Sequence, residues 1–395
     1  MKTNRANILC INPWIHDFAA YDFWAKPLGL LSIAALLRDR GVCVSYINCL
    51  DRFHPKQSGP AKILWDGRGP FQKTRIDPPG GLGSLDRKRV FSRYGIKPEW
   101  LVSDLKSIPA PDMVFVTSLM TYWASGVAET IAVIRTVYPR VPIVLGGVYA
   151  SLCTDHAVRT SGADRVIQGP AEPVLKQLVQ AYTGFELNPG HMPDALDEYP
   201  YPALDLETRL TYAPILTSRG CPFSCEYCAS SFLEPGLRRR SPEIVFQEIL
   251  HWHRTNNIHH FAFYDDALLV NADKYAHPLF EKIIRAGKNL NFHTPNALHV
   301  SAINRKTADL MYRAGFKTIR LGLETTQTAH ERQYDDKVAP DQFEAAAGHL
   351  KAAGFKKDQM GAYLLCGLPD QDLDLVERSM VRVEAAGMTP VLAYY

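Results

Sequence analysis

The sequence has no hydrophobic run of the roughly 20 residues that a membrane-spanning helix requires, so a membrane protein is not expected. It also has no excess of charge of one sign. The 44 basic residues are balanced by 41 acidic ones, a formal net charge of +3, which removes the electrostatic argument for a nucleic-acid partner. The first residues lack the apolar core of a signal peptide. With eight cysteines, this predicts a cytoplasmic protein whose reduced thiols are available for metal.

Length and composition indicate a globular protein of two domains. A chain of 395 residues exceeds the size of one ordinary domain. Its 46% hydrophobic and 22% charged residues are typical of a soluble globular protein rather than a disordered or fibrous one.

The first half of the chain alternates short apolar runs with helical patterns. Continuous apolar runs such as MVFVT and PIVL are typical of strands buried on both faces of a parallel sheet. The predicted strands are residues 6–11, 42–48, 113–117, 142–145 and 165–167, and the predicted helices are 28–40, 125–138 and 172–182. This pattern predicts a doubly wound, Rossmann-like α/β domain over residues 1–183, with ligands at the carboxyl ends of its strands.

Two stretches interrupt the pattern. Residues 52–98 are rich in Gly, Pro and basic residues, and we predict an inserted loop without regular structure, either covering a site or tolerated at the surface. Residues 184–212 contain four prolines and are predicted to be an interdomain linker.

The second half, residues 213–395, repeats a strand and a helix at a regular pitch. Predicted strands are 213–218, 260–264, 291–294, 318–323, 360–365 and 391–395, with helices at 242–254, 273–286, 301–314, 340–353 and 372–386. Six strands with five helices predict an open, partial (β/α)6 barrel of the TIM type. Because the chain stops inside the sixth strand, we expect a truncated sequence.

Three cysteines, Cys221, Cys225 and Cys228, follow the first barrel strand with the spacing C-x3-C-x2-C. Loops at this end of a barrel strand carry the active sites of barrel enzymes. Thiolates at this density suit zinc or an iron–sulfur cluster. A closed zinc site needs a fourth ligand, and neither Cys nor His occurs again until His251. A cluster held by three thiolates instead leaves one iron open; zinc bound with a distant His, or cysteines that only pack, are the alternatives.

The segment CPFSCEYC resembles the cluster motif of the radical S-adenosylmethionine (SAM) superfamily, with Tyr227 as the aromatic residue before the third cysteine. The resemblance implies a [4Fe–4S] cluster on Cys221, Cys225 and Cys228, with SAM chelating the open iron. Reductive cleavage of SAM would then give a 5′-deoxyadenosyl radical, with an electron donor such as flavodoxin or ferredoxin. The barrel would orient these cofactors and exclude water.

Further residues at strand ends match positions that contact SAM in this superfamily. The second barrel strand ends in FAFYDDALLV, the fourth in IRLGLETT and the fifth in AYLLCGLPDQ. The resemblance implies SAM contacts from Tyr264, Asp265, Asp266, Glu324 and Gly367. One of the two aspartates could instead be a helix N-cap. Asn296 and His299, after the third strand, are predicted to face the barrel mouth, and Cys366 is predicted to be a small buried residue.

A doubly wound domain ahead of such a barrel resembles the cobalamin-binding class of the superfamily. Loops after the third, fourth and fifth strands match positions that hold the cobalamin tail in that class. The residues implied are Ser118, Thr121, Gly146, Gly147, Gly169 and Glu172. Glycines let the backbone approach a bulky ligand, although GG and GPAE are also common turn sequences.

The cobalt-ligating D-x-H-x-x-G signature is missing; His16 lies near its place without the spacing. The resemblance implies a cobalamin-dependent methyltransferase acting on an unactivated centre of a small molecule or peptide. Alternatives are a rearrangement or oxidation within the same class, a tRNA methylthiotransferase whose second cluster would need N-terminal cysteines such as Cys10, Cys43, Cys49 and Cys153, and a non-catalytic iron–sulfur or zinc protein that senses redox state.

Overall fold

The computed structural model of the protein describes residues 5–80, 89–188, 193–326, 341–369 and 371–394. The chain forms two compact units, Met1–Thr211 and Tyr212–Tyr395. Across these described ranges no helix is both long enough and apolar enough to cross a membrane. The predicted helix start at Pro340 and strand end at Tyr395 lie outside the described residues.

The first unit is built on a parallel sheet. Its strands are β1 (Asn7–Asn12), β2 (Ile15–Asp17), β3 (Cys43–Asn48), β4 (Lys73–Arg75), β5 (Ser92–Tyr94), β6 (Met113–Val116), β7 (Ile143–Leu145) and β8 (Arg165–Val166). Five of them form the main sheet in the order β3-β1-β6-β7-β8, and every pair is parallel. This is the doubly wound order 2-1-3-4-5, in which the switch point for ligands lies between β1 and β6.

Helices cover both faces of this sheet. They are α1 (Leu28–Asp39), α2 (Pro98–Ser107), α3 (Ala124–Val137), α4 (Val148–Leu152), α5 (Thr154–Thr160) and α6 (Leu175–Thr183). Alternate residues of β1 point to opposite faces: Leu9 and Ile11 pack with α2 and α3, whereas Ile8 and Cys10 pack with α1 and α6. Because both faces are buried, the strands are apolar throughout.

The prediction of an irregular insertion over residues 52–98 is wrong in part. Strands β4 and β5 lie within it and pair antiparallel with each other and with β2. These strands are only three residues long, and every residue of β4 is exposed. The sequence therefore shows no alternation of apolar and polar residues that would predict them. Their register depends on tertiary contacts, such as the ion pair of Arg93 in β5 with Glu129 in α3.

The described parts of the stretch predicted as a linker, residues 184–188 and 193–212, contact the first unit. Asn188 donates its N–H to the Arg40 carbonyl at 3.1 Å, and Ala203 donates to that of Leu31 at 3.0 Å. Glu207 accepts from Lys26 Nζ at 3.0 Å and belongs to the first unit.

The second unit contains β9 (Ala213–Ile215), β10 (Ser218–Arg219), β11 (Arg238–Arg239), β12 (His260–Phe263), β13 (Asn291–His293), β14 (Leu298–His299), β15 (Phe316–Glu324), β16 (Met360–Cys366) and β17 (Thr389–Tyr394). Six strands form a parallel sheet in the order β9-β12-β13-β15-β16-β17, with β14 added beside β15. The described helices of this unit are α7 (Ser230–Leu233), α8 (Pro242–Asn256), α9 (Ala276–Ala286), α10 (Arg305–Ala314), α11 (Gln342–Ala353) and α12 (Leu373–Ala385). The predicted α/β class, with a doubly wound unit before a six-stranded parallel one, is confirmed.

Stacked aromatic rings fill the centre of the second unit. Phe263 of β12 lies 5.6 Å from Phe292 of β13 and 5.7 Å from Phe316 of β15, measured between ring centroids. All three are completely buried. This core holds the strands in register, so the loops that follow them start from fixed positions.

Candidate functional site

The cysteine loop is closed at its base by a two-stranded ribbon. Strands β10 and β11 pair antiparallel, with Ser218 opposite Arg239, and the Arg240 N–H donates to the Thr217 carbonyl at 2.8 Å. The three cysteines lie between these strands, so both ends of their loop are held to the exit of β9.

Gly220 is required where the loop leaves β10. Its φ is +80°, and a Cβ atom there would lie 1.8 Å from the Gly236 carbonyl oxygen. The two ends of the loop therefore touch backbone to backbone, which only glycine permits. The sequence shows a glycine directly before the first cysteine, but not what it contacts.

None of the three cysteines is in a disulfide, and their thiols suit a cluster by their chemistry. Cys221 and Cys225 are half-buried and Cys228 is exposed. A turn joins the last two, with the Cys228 N–H donating to the Cys225 carbonyl at 3.0 Å. No group of three or more His, Cys, Asp or Glu side chains in the described ranges is arranged to hold a metal ion. Three accessible thiols on one loop fit the three-thiolate donor set of an iron–sulfur cluster.

Asp265 is engaged with the chain that enters the cysteine loop. It follows β12, is 2% exposed, and accepts from the Thr217 N–H at 2.9 Å, the Thr217 hydroxyl at 2.6 Å and the Ser218 hydroxyl at 2.7 Å. Burial raises the pKa of this carboxyl, and the hydrogen bonds from Thr217 and Ser218 and the charge of Arg239 oppose that rise. The sequence predicts a SAM contact for Asp265; in the structure its carboxylate anchors the chain that enters the cysteine loop. Sequence reasoning missed Thr217 and Ser218.

Tyr264 and Asp266, on either side of Asp265, have contacts different from those of Asp265. Burial raises the pKa of the Asp266 carboxyl, and Ser230 in α7 opposes that rise. Tyr264 is held through its backbone: its N–H donates to Ile215 at 2.9 Å, and its carbonyl accepts from Asn296 Nδ2 at 2.7 Å. Tyr227, before the third cysteine, is half-buried in the cysteine loop.

An aromatic contact links the cysteine loop to the strand that follows β13. Phe223 lies between Cys221 and Cys225, and its ring centroid is 4.5 Å from that of His299. His299 ends β14, beside Gly322 of β15. The predicted mouth residue His299 therefore contacts the cysteine motif directly.

Glu324 ends β15 in a conformation that side chains rarely adopt. Its φ is +62°, and the pairing of β15 with β16 shifts register between Gly322 and Glu324. A Cβ on Gly322 would lie 3.0 Å from Glu324 Oε1, so the carboxylate lies over that glycine. A non-glycine residue in this region costs roughly 1–2 kcal/mol and is often found at functional sites.

The segment after β16 is fixed by Gln371. The Gln371 side chain accepts from the Gly367 N–H at 2.7 Å and donates to the Leu365 carbonyl at 2.9 Å. Gly367 has φ +95°, consistent with a backbone position reserved for glycine. Cys366 is half-buried rather than buried.

In the first unit, two predicted cobalamin residues contact each other after β6 and β7. Ser118 is 3% exposed and donates its hydroxyl to the Gly146 carbonyl at 2.7 Å. Gly147 has φ +98°, and a Cβ there would lie 2.2 Å from the Ser118 carbonyl oxygen. Ser118 and Gly147 thus join the loop after β6 to the loop after β7. Gly146 differs, since no atom lies within 4 Å of the position its Cβ would take.

Ser151 links the loop after β8 to Gly147 in the loop after β7. The sequence did not predict this role. The Ser151 hydroxyl donates to the Gly147 carbonyl at 2.9 Å and accepts from the Gly169 N–H at 2.9 Å. Gly169 has φ +77° and open space around its Cβ position. Thr121 and Glu172 are half-buried at the starts of single 3-10 turns that follow β6 and β8.

His16 has both ring nitrogens engaged within the first unit. Nδ1 lies 3.2 Å from the Ser125 hydroxyl, and Nε2 lies 2.8 Å from Glu129 Oε2. Burial acts to raise the pKa of Glu129, but the hydrogen bonds and charges of His16 and Arg93 outweigh it, and the pKa falls to about 2. Ligating cobalt would require His16 to give up one of these partners.

Two family models match the chain. Residues 215–380 match the Radical SAM superfamily, and residues 93–179 match the B12 binding domain. The first covers the cysteine loop and the barrel strands through β16; the second covers β6 to β8 and their loops.

Two curated relatives are each 27% identical. One is an uncharacterized methyltransferase of Pyrococcus horikoshii, aligned over 299 residues, which are 68% of this chain and 63% of the relative. The other is the anaerobic magnesium-protoporphyrin IX monomethyl ester cyclase of Synechocystis sp., aligned over 225 residues, 50% of this chain and 44% of the relative. The chain thus spans less than two thirds of the length of either.

Two solved structures with the same fold contain cobalamin, one together with a [4Fe–4S] cluster and the other together with SAM. The radical SAM methyltransferase TsrM from Kitasatospora setae, with cobalamin and a [4Fe–4S] cluster bound, has a TM-score of 0.70 at 16% identity, covering 99% of this chain and 75% of that one. The cobalamin-dependent radical enzyme OxsB, with aqua-cobalamin and SAM bound, has a TM-score of 0.66 at 14% identity, covering 98% and 53%.

A radical SAM domain uses a [4Fe–4S] cluster and SAM, and a B12-binding domain takes cobalamin. The two models match separate parts of one chain, and the whole chain shares the fold of proteins that combine them. Residues 215–380 thus form a domain of the Radical SAM superfamily, preceded in the same chain by a B12 binding domain over residues 93–179.

Proposed function

We propose that this chain is a cobalamin-dependent radical SAM methyltransferase that methylates an unactivated centre of a small molecule or peptide. The observation that carries the proposal is the closed loop with three cysteines, none of them in a disulfide, at the exit of β9, in a chain that also contains a B12-binding domain. The similarity to an uncharacterized methyltransferase supports the choice of reaction.

Cys221, Cys225 and Cys228 would hold the cluster. When bound, the cluster would supply an electron to SAM and cobalamin would supply the methyl group. The protein would then need a one-electron donor such as flavodoxin or ferredoxin and two molecules of SAM per turnover. The protein's own task is to position these groups and keep water out.

Residues of the second unit would position the cluster and SAM. Asp265 fixes the entry to the cysteine loop through Thr217 and Ser218. The ring pair of Phe223 and His299 would form one wall of the SAM site, and the carboxylate of Glu324 is suited to accept hydrogen bonds from ribose hydroxyls or the ammonium group. Tyr227, Tyr264, Asp265, Asp266 and Gly367 remain proposed SAM contacts.

The first unit would bind cobalamin at the carboxyl edge of its sheet. Gly146 and Gly169 leave open space at their Cβ positions, as close approach of a bulky ligand requires. Ser118, Gly147 and Ser151 hold the loops that carry them. Thr121 and Glu172 remain proposed contacts to the cobalamin tail.

A second candidate is an oxidation or ring closure within the same class. The similarity to an anaerobic cyclase over half of the chain favours it. A tRNA methylthiotransferase is disfavoured, because its second cluster would need N-terminal thiolates. Cys10 and Cys49 are completely buried, and burial raises the pKa of Cys10 to about 12.

Anaerobic assays of cofactors and co-products test the proposal and separate the two candidates. Protein purified from cobalamin-rich medium should carry a corrinoid spectrum, and a colourless protein that fails to bind hydroxocobalamin would exclude cobalamin chemistry. With SAM, a reductant and a candidate substrate, methyl transfer yields S-adenosylhomocysteine together with 5′-deoxyadenosine. Oxidation or ring closure yields 5′-deoxyadenosine and a substrate-derived product that has gained no methyl group, and that product would reject methyl transfer.

A further inference from the structure

Two histidines of the second unit meet at the amino-terminal end of β12. His253 lies in the last turn of α8, and His259 directly precedes β12. Their ring centroids are 5.0 Å apart, with the ring planes at 81°, and both residues are half-buried. The cysteine loop follows the carboxyl end of β9, which runs parallel to β12. The histidine pair therefore lies at the opposite end of the strands from that loop.

Both rings have one nitrogen bonded to a backbone carbonyl. His253 Nδ1 lies 2.9 Å from the Ile258 oxygen, and His259 Nδ1 lies 3.1 Å from the Asn289 oxygen. A carbonyl oxygen can only accept, so each ring carries a hydrogen on Nδ1. In the neutral imidazole the lone pair is then on Nε2. A histidine that binds a metal is usually oriented in this way, by a bond from its other ring nitrogen.

Asn257 brings an amide oxygen to the same place. Its Oδ1 lies 3.2 Å from His259 Nε2. Two lone pairs that face each other at this distance repel unless a proton or a metal ion lies between them. Asn257 is the C-cap of α8 with φ +53°, and its backbone N–H donates to the Trp252 carbonyl, so the helix end fixes its position.

The spacing fits one metal ion shared by the two rings. Metal–nitrogen bonds of about 2.0–2.1 Å, added to the radius of an imidazole ring, place the centroids of two neighbouring ligands roughly 5 Å apart. The ion would also lie at the C-terminal end of α8, where the helix dipole favours positive charge. Imidazole nitrogens with an amide oxygen suit a divalent ion such as Zn²⁺ or Ni²⁺. Because the described ranges hold no metal-binding group of three His, Cys, Asp or Glu, water completes such a site.

We propose that His253 and His259, together with the Asn257 side chain, bind one divalent transition-metal ion at a site separate from the cysteine loop. A bound ion joins the end of α8 to the start of β12 and stabilises the second unit. The inference is independent of the proposed function, because it uses none of the three cysteines.

Calorimetric titration with NiCl₂ tests the site, using the full chain with its cluster reconstituted so that the cysteines of the loop are occupied. One equivalent of Ni²⁺ should bind. His253→Ala and His259→Ala should each weaken the affinity at least about tenfold, since each removes one of two nitrogen ligands. His251→Ala changes an exposed histidine of the same helix and should stay within about twofold of the wild type.

Asn257 offers two variants that keep the end of α8 intact, because glycine and aspartate both adopt the left-handed conformation. Asn257→Gly removes the amide oxygen and should weaken Ni²⁺ binding by about threefold or more. Asn257→Asp supplies a carboxylate and should strengthen it about tenfold. A gain in affinity cannot come from a failure to fold, so this variant protects the test against misfolding.

Several results would overturn the inference. They are the absence of Ni²⁺ binding, unchanged affinity in His253→Ala and His259→Ala, and unchanged affinity in Asn257→Asp. A loss in His251→Ala as large as that in His253→Ala would show an adventitious ion only. If the chain forms no cluster, the same titration is made with all three loop cysteines replaced by alanine, so that the proposed function and this inference can fail separately.

Discussion

Asp265 accepts two hydrogen bonds from one residue, Thr217, whose backbone N–H lies 2.9 Å and whose hydroxyl lies 2.6 Å from the same carboxylate oxygen. The contact joins the end of β12 to the chain between β9 and the cysteine loop. A buried carboxylate that satisfies three donors sets the position of that chain, and with it the starting point of the three thiols.

Replacing Asp265 should therefore harm both stability and cluster assembly. In Asp265→Ala, the Thr217 N–H and the Thr217 and Ser218 hydroxyls lose their buried acceptor, and the free energy of unfolding should fall by about 2–4 kcal/mol. Urea denaturation of cluster-free protein and iron content after reconstitution measure the two effects. Asp374→Asn, exposed in α12, is the control and should change neither. Full iron loading at wild-type stability in Asp265→Ala would contradict the anchoring role.

Two glycines at the base of the cysteine loop make a matched pair. Gly220 and Gly236 have φ values of +80° and +77°, but only at Gly220 would a Cβ overlap other atoms. Gly236→Ala should cost about 1–2 kcal/mol for its backbone conformation alone. Gly220→Ala should cost at least about 1–3 kcal/mol more and reduce iron incorporation. Equal unfolding free energies for the two variants in urea would show that the loop ends are not in contact.

Cobalamin binding can be tested with another pair of glycines. Gly169 follows β8 at the carboxyl edge of the sheet, and Gly184 ends α6; both have positive φ and open space at the Cβ position. Substitution by leucine should destabilise the two similarly, by about 1–2 kcal/mol. Only Gly169→Leu should weaken hydroxocobalamin binding, by at least about tenfold in an absorbance titration. Equal affinities would remove Gly169 from the cobalamin site.

The ion pairs of Glu129 predict a pH-dependent contribution to stability. Its pKa falls from 4.5 to about 2 in the folded protein, so its contribution is complete above about pH 4.5 and is lost as the pH falls toward 2. Near neutral pH, Glu129→Gln should cost about 2 kcal/mol in unfolding free energy, allowing for solvent screening. The difference between variant and wild type in urea denaturation should shrink at about pH 3. A difference that is constant with pH would mean that His16 and Arg93 do not stabilise the charged form.

The sequence alone predicts those features whose signal lies in neighbouring residues. Strands such as Met113–Val116 are apolar because both faces are covered, and that pattern is visible without a structure. The three cysteines could be placed at a strand exit from their spacing and the preceding apolar run.

The roles of polar residues at strand ends could not be predicted in the same way. Asp265 and Asp266 are adjacent carboxylates at one strand end, and the sequence alone indicates only that they lie near the site. Asp265 is hydrogen-bonded to Thr217, which is distant in sequence and brought near by the sheet, whereas Asp266 makes no such bond to Thr217. The short strands β4 and β5 were missed for a related reason, since their pairing depends on contacts with β2.

The central claim is that the thiols of the cysteine loop support reductive cleavage of SAM, and formation of 5′-deoxyadenosine tests it most directly. Anaerobically reconstituted protein with SAM and a strong reductant should produce 5′-deoxyadenosine and methionine. Cys225→Ala should produce none while retaining corrinoid binding, and Cys366→Ala should match the wild type. If wild-type protein with a complete cluster forms no more 5′-deoxyadenosine than Cys225→Ala does, the radical mechanism is contradicted.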